Sequence, residues 1–357
     1  MKQLKLNYFF ISAGLCLTLA SCHKDNNSPV NTTPVSTGLF VLNQGGFQGN
    51  NSTLSVYDYA TKAVVADKFS AVNGRGLGDT GNDIETYGSK TYIVVNVSSN
   101  LEVINTKTAK SIVKIPFFTN TTARQPRNIV FYKGNAFVSV YDGKVDVIDT
   151  NSLAVTKSIA VGANPEQMAI SNGKLYVANS GGLQLTFSNT VSVIDLGTLT
   201  VIKTVTVGTN PLAVAADAYG EVYVTAQGDY LPQGVQPSIT VINTATDVAA
   251  APVTTSLSYG SPFVISGDFA YYVAGDNKIK VYNVKTKTLT SASFITDNTA
   301  VQIPYAITVD DASGEVFVGD AVNYSSNGNV YAFDKNGKLE YSFKVGINPG
   351  KITIIKN

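Results

Sequence analysis

Hydrophobic and polar residues alternate along most of this chain in runs of five to eight, separated by turn residues. Residues 164–195, NPEQMAISNGKLYVANSGGLQLTFSNTVSVID, are representative. MAIS, KLYVAN and VSVID have the period-two pattern of half-buried β-strands. SNGK is a tight turn and SGGLQLTFSN a long loop. No long segment shows the 3.6-residue period of a helix.

The pattern repeats. A strand running into a polar turn recurs as SVYDYAT, EVINTKT, DVIDTNS, SVIDLGT, TVINTAT, KVYNVKT and YAFDKNG. Measured between Asp58, Asn105, Asp149, Asp195, Asn243, Asn283 and Asp334, the spacings are 47, 44, 46, 48, 40 and 51. Asp or Asn opens each turn because its side chain can accept from backbone amides two residues on. A period in the forties with four strands per unit predicts an all-β, seven-bladed β-propeller with four-stranded antiparallel blades. First strands follow Pro or its equivalent (GNDIETYG, QPRNIVFY, NPEQMAIS, NPLAVAAD, SPFVIS, IPYAITVD, NPGKITII). The repeat starts on a second strand at Gly38 and finishes on a first strand, Ile352 to Ile355. N-terminal strands should therefore pair with the C-terminal strand and close the ring.

The N-terminus is read as a processing signal. Lys2 and Lys5 precede an apolar run, Leu6 to Ala20, and Leu19-Ala20-Ser21-Cys22 resembles a bacterial lipobox with Cys22 as the lipid anchor. The expected organisation is a removed signal peptide (1–21), a lipidated Cys with a tether (22–37), and one propeller (38–357). Cys16 would leave with the signal, so no thiol remains for a disulfide, metal site or nucleophile. Loss of Lys2 and Lys5 leaves 24 basic side chains against 25 acidic ones, a balance that argues against nucleic acid. His23-Lys24-Asp25 partly resembles the export signal of surface lipoproteins and equally suits a solvated linker. The expected location is the cell envelope, as an outer-membrane lipoprotein on either leaflet.

Strand alternation puts every long connection on one face: 43–53, 70–83, 116–127, 180–189, 227–237, 294–304 and 319–329. Long loops on a rigid scaffold are where binding residues concentrate. All three arginines, Arg75, Arg124 and Arg127, fall in these loops. Guanidinium suits carboxylate, amide or phosphate recognition, while ion pairing with Asp79 or Asp83 is the plainer reading. Aligned first strands predict a channel mouth of Asn82/Asp83, Arg127/Asn128, Glu166/Gln167, Leu212/Ala213, Phe263/Val264, Tyr305/Ala306 and Gly350/Lys351. One side is polar and the other apolar or aromatic, which suits a bulky amphipathic organic ligand. Phe47, Phe117, Phe118, Phe187, Tyr230, Tyr259 and Tyr324 could extend the apolar wall, though each could equally pack on a neighbouring loop. A plain Arg127–Glu166 pair is the simplest alternative for those two residues.

Several chemistries lack their residues. The one histidine, His23, lies beside Cys22, so the propeller has no imidazole for a Ser-His-Asp triad or a His-ligated metal. GRGLGDTG (74–81) has the glycines of a phosphate loop but no following helix. SNGNV and GDNK lack a calcium-loop register. No cofactor and no metal are expected.

KLYVANSGG, VSVIDLGT and VTVGTNPLAV resemble the YVTN propeller repeat. With NDIETYGSKTYIVVN and QPRNIVFYKGNAFVSVYDGKVDVIDT, residues 38–357 resemble YncE-like lipoproteins of Bacteroidetes. The resemblance implies a monomeric propeller at the envelope; some surface members capture cobalamin for a TonB-dependent transporter. The expected function is thus a non-catalytic binding protein for a corrinoid or another bulky amphipathic ligand. Two alternatives remain: a carboxylate-based, lactonase-like hydrolase using Asp79, Asp83 or Glu166, and an adhesive propeller that binds protein or glycan.

Overall fold

The computed structural model describes residues 35–356. Cys22 and His23, and with them the lipid-anchor and tether assignments, lie outside the described residues.

Seven antiparallel sheets form a ring of blades. In the closing blade the order is Val64–Val65, Thr53–Asp58, Ser36–Asn43, Pro349–Lys356. The second to seventh blades run outward from inner strands Gly81–Tyr87, Pro126–Tyr132, Pro165–Ser171, Pro211–Ala216, Phe263–Ser266 and Pro304–Val309. Ring closure is as the strand order predicted: Leu39 faces Ile354 and Val41 faces Ile352 in an antiparallel ladder. That ladder begins two residues before the anticipated boundary, at Ser36, whose Oγ donates to Asp310 Oδ2 at 2.8 Å.

The alternating pattern is used on both sheet faces, because each blade is covered by its two neighbours. Seven apolar clusters fill the gaps between adjacent blades. Val191, Val193 and Val205 of the fourth blade, for instance, meet Val214, Val222 and Val224 of the fifth. A radial ring of small cores has no single centre, so the axis stays free for a channel.

The repeated turns form as their Asp and Asn residues require. Asp149 Oδ1 accepts from the amides of Asn151 (3.1 Å) and Ser152 (2.7 Å), and Asp195 from those of Gly197 (3.0 Å) and Thr198 (2.7 Å). Asn105 makes the same bonds at 3.1 Å each. These amide bonds hold the exposed carboxyls of Asp58, Asp149, Asp195 and Asp334 below the ordinary range.

Two local departures matter. The outer strand of the closing blade is only Val64–Val65, and a short helix, Lys68–Asn73, follows it. Part of the stretch read as loop 70–83 is therefore helical. Asp67 caps it, accepting from Ser70 N at 3.1 Å, and Gly74 ends it at φ 66°. Phe69 is wholly buried beside Leu42, Leu54 and Ile84. In the fifth blade the outer strand is split into Val248–Ala249 and Val253–Thr254 around Pro252, which has no amide for the ladder.

Candidate functional site

Residues from all seven blades line a central channel of about 320 Å³, including Glu85, Asn128, Gln167, Val214, Phe263, Tyr305 and Lys351. At its mouth on the long-loop side, Arg127 is the hub. Its Nε donates to Glu166 Oε2 at 2.9 Å and its Nη1 to Asn82 Oδ1 at 2.6 Å. The guanidinium lies over the Tyr141 ring, 4.8 Å from its centroid. Asn82 Nδ2 returns a bond to the Arg127 carbonyl, and the Tyr141 hydroxyl donates to Glu166 Oε1. Burial works against the Arg127 charge, but Glu166 outweighs it and the guanidinium holds its proton more tightly than usual. Burial is also the main reason the Tyr141 hydroxyl ionises well above its ordinary range.

A second network runs beneath the first. Asp83 accepts from Asn128 Nδ2 and, at 2.9 Å, from the Ile129 amide, while Asn128 Oδ1 accepts from Met168 N at 3.1 Å. One side-chain chain thus ties three inner strands together. Lys351 closes it from the C-terminal strand, 3.2 Å from Asp83 and 3.1 Å from Glu85. Enclosure in the channel disfavours the Lys351 charge, yet the two carboxylates raise its affinity for the proton above the usual lysine range. Enclosure likewise raises Glu85, partly countered by Lys351.

The aromatic side of the mouth is built by loops. Tyr305 donates to Gln44 Oε1 at 2.5 Å and meets Tyr324 edge-on at 5.8 Å. Burial, reinforced by Tyr324, pushes its hydroxyl up to about 12. Phe187 packs edge-on against Tyr230 at 5.5 Å, and Tyr230 lies 5.7 Å from Tyr259. Asn210 Nδ2 donates to the Tyr230 hydroxyl at 2.9 Å and fixes that ring. Tyr259 is 74% exposed and Tyr230 50%, so this wall is open to solvent. Asn128 and Gln167 line the same channel as Phe263 and Tyr305, so the polar and aromatic sides meet in one cavity.

Of the anticipated residues, Asn82, Asp83, Arg127, Asn128, Glu166, Gln167, Phe187, Tyr230 and Tyr305 gather at the mouth or in the channel. Others are placed differently. Arg75 is bound to the buried Glu102 at 2.9 Å and to Ser111, over the Phe69 ring, on the outer part of the second blade. Helix Lys68–Asn73 carries it there. Arg124 clamps Asp142 and the buried Asp146, each at 2.7 Å, away from Arg127's partners. Asp79 accepts from the amides of Gln48 (3.1 Å) and Asn50 (3.4 Å) and so shapes loop 43–53. Phe263 reaches the channel wall but is 5% exposed, stacked between Tyr223 and Tyr272. Phe117 is buried between blades rather than facing the loops. Tyr141 and Gln44 were not singled out from sequence. Tyr141 opens a tight turn, Tyr141-Asp142-Gly143, where the closing, fourth, fifth and seventh blades carry longer loops, and that shortness is the signal.

Residues 37–348 match the family model described as "Domain of unknown function (DUF5074)". The chain belongs to the DUF5074 family. Curated proteins contain no match to this DUF5074 chain. Among solved structures, it is similar to a quinonprotein alcohol dehydrogenase-like protein from Bacteroides thetaiotaomicron (TM-score 0.65, 17% identity, 90% of this chain and 79% of that one). It is also similar to apo AztD from Citrobacter koseri (TM-score 0.57, 13% identity, 90% and 99%). A third is hydrazine synthase from Kuenenia stuttgartiensis (TM-score 0.60, 14% identity, 76% and 93%). At these identities the likeness concerns the propeller fold of the DUF5074 chain.

Proposed function

We propose that this protein is a non-catalytic binding propeller, lipid-anchored at the cell envelope, that holds a bulky amphipathic ligand at the long-loop mouth. The observation that carries the reading is the two-sided opening: Arg127, Glu166, Asn82 and Gln167 on one side, Tyr305, Tyr324, Tyr259, Tyr230 and Phe187 on the other. Open aromatic rings supply contact area at small entropic cost, and the polar side offers donors and acceptors for orientation. A corrinoid meets this description, with a large apolar ring edged by amides, and delivery to a TonB-dependent transporter would follow from the anchor. The carboxylates have other work: Asp79 holds a loop, Asp83 a strand network, and Glu166 the Arg127 guanidinium. That division of labour favours binding over carboxylate hydrolysis.

Spectral titration with cyanocobalamin tests the corrinoid form. Saturable binding at micromolar concentration, weakened about tenfold by Tyr259→Ala, is expected. Absence of binding removes the corrinoid; turnover of any bound ligand, abolished by Glu166→Gln, would replace the binding reading with an enzymatic one.

A further inference from the structure

On the face opposite the long loops, the closing blade and the seventh blade leave a cleft of about 260 Å³ lined by Tyr57, Tyr59, Lys62, Glu315, Glu340 and Tyr341. Its walls are aromatic. Tyr57 stacks on Tyr341 (centroids 5.3 Å, 22°) and on Phe343 (4.4 Å, 5°), and Tyr59 meets Tyr57 edge-on at 5.8 Å. The Tyr59 hydroxyl is buried without a well-formed hydrogen bond.

Two carboxylates share this cleft. Glu315 stands in the turn between the first two strands of the seventh blade, and Glu340 at the start of its outer strand, Leu339–Ile347. Among the described residues, no Lys or Arg nitrogen lies within 4.0 Å of either carboxylate. Lys62 is exposed at the rim. Glu315 accepts one long bond, from Ser313 Oγ at 3.4 Å. Burial, and then the like charge of Glu340, raise the Glu315 carboxyl above its ordinary range despite an opposing contribution from Tyr341. The buried Glu102, Asp146 and Asp247 are each matched by a cation, Arg75, Arg124 and Lys174, and the buried Asp320 by the amides of Gln302 and Ile303. Glu315 and Glu340 face the cleft without a cation, beside the rings of Tyr59 and Tyr341.

We propose that the cleft binds an alkylated ammonium group, seated between the Glu315 and Glu340 carboxylates and the rings of Tyr341 and Tyr59. A quaternary or methylated ammonium needs no hydrogen-bond acceptor of fixed direction. It gains from aromatic faces and from carboxylates at van der Waals range. The group can belong to a small molecule or to a modified lysine side chain; the ammonium chemistry is the same. The site lies on the other face from the channel mouth, so its fate is independent of the ligand proposed there.

The test is calorimetric or NMR titration of the full chain with choline and, separately, with a trimethyllysine peptide. Choline's uncharged isostere, 3,3-dimethylbutanol, is the control. The expected result is saturable binding of at least one cation, about tenfold tighter than the isostere and about tenfold weaker in Glu340→Gln. Glu340 is exposed, so that variant leaves the core untouched. Tyr341→Leu should weaken binding similarly, and circular dichroism checks its fold. Choline binding alone points to a small molecule and peptide binding alone to a protein side chain. No saturable binding of either, equal affinity for the isostere, or affinity unchanged in Glu340→Gln overturns the proposal.

Discussion

Nε and Nη2 of Arg127 both reach Glu166 Oε2 at 2.9 Å, joining the inner strands of the third and fourth blades across the channel mouth. Both side chains are largely buried, and Tyr141 closes the pair from below. Removing one partner leaves a charge without its match.

Glu166→Gln should therefore cost about 3 kcal/mol of stability, and Arg127→Met a similar amount. The double variant should cost less than the sum by about 1–3 kcal/mol. Urea denaturation of the four proteins measures this, and strict additivity would show that the pair is not coupled.

Lys351 makes a sharper case, because it faces two carboxylates at once. Lys351→Met should destabilise by about 3 kcal/mol, the lower end for a buried pair, since the channel admits some water. Adding Glu85→Gln should recover part of the loss. Chemical denaturation at neutral pH reads both values.

The turn aspartates predict an acid dependence. Their folded carboxyls titrate below the ordinary range. Their contribution is present above the unfolded-state value and is lost as pH falls through the lower folded value. Asn105, Asn243 and Asn283 make the same amide bonds without a charge. Asp149→Asn should keep its turn and flatten the acid limb of stability slightly. Asp149→Ala should lower Tm by on the order of one or two degrees at neutral pH. Thermal scans from pH 3 to pH 7 distinguish the two.

Deleting residues 349–357 removes the inner strand of the closing blade and leaves Ser36–Asn43 with an open edge. Because Lys351 also leaves, Asp83 loses its cation partner. The truncated protein should fail to give a cooperative melt and should aggregate. A normal melting curve would contradict ring closure as a source of stability.

Much of the fold was legible because it depends on local rules repeated seven times. Asp or Asn at the turns, alternating apolar residues and the offset between first and last strands each restate the same architecture. The mouth was partly legible, since equivalent positions in aligned inner strands converge on one ring; Asp83, Asn128 and Gln167 are such equivalents. Where repetition fails, the reading fails with it. Sequence position groups Arg75 with Arg127 in a loop, but a short helix capped by Asp67 and anchored by Phe69 redirects it. Tyr141 is not legible in the sequence because its two-sided contact, with Arg127 and Glu166, depends on two neighbouring blades. No single repeat encodes that.

The ladder between Ser36–Asn43 and Pro349–Lys356 also constrains the order of events when the chain is made. Six sheets consist of strands contiguous in sequence and can assemble as they emerge. The first three strands, by contrast, wait beside an empty inner position until the last residues arrive. The blade begun first is thus the last to be completed. Any factor that shields exposed sheet edges would have its longest-lived target at the N-terminal blade, and a chain stalled near its end would carry a nearly finished ring with one adhesive seam.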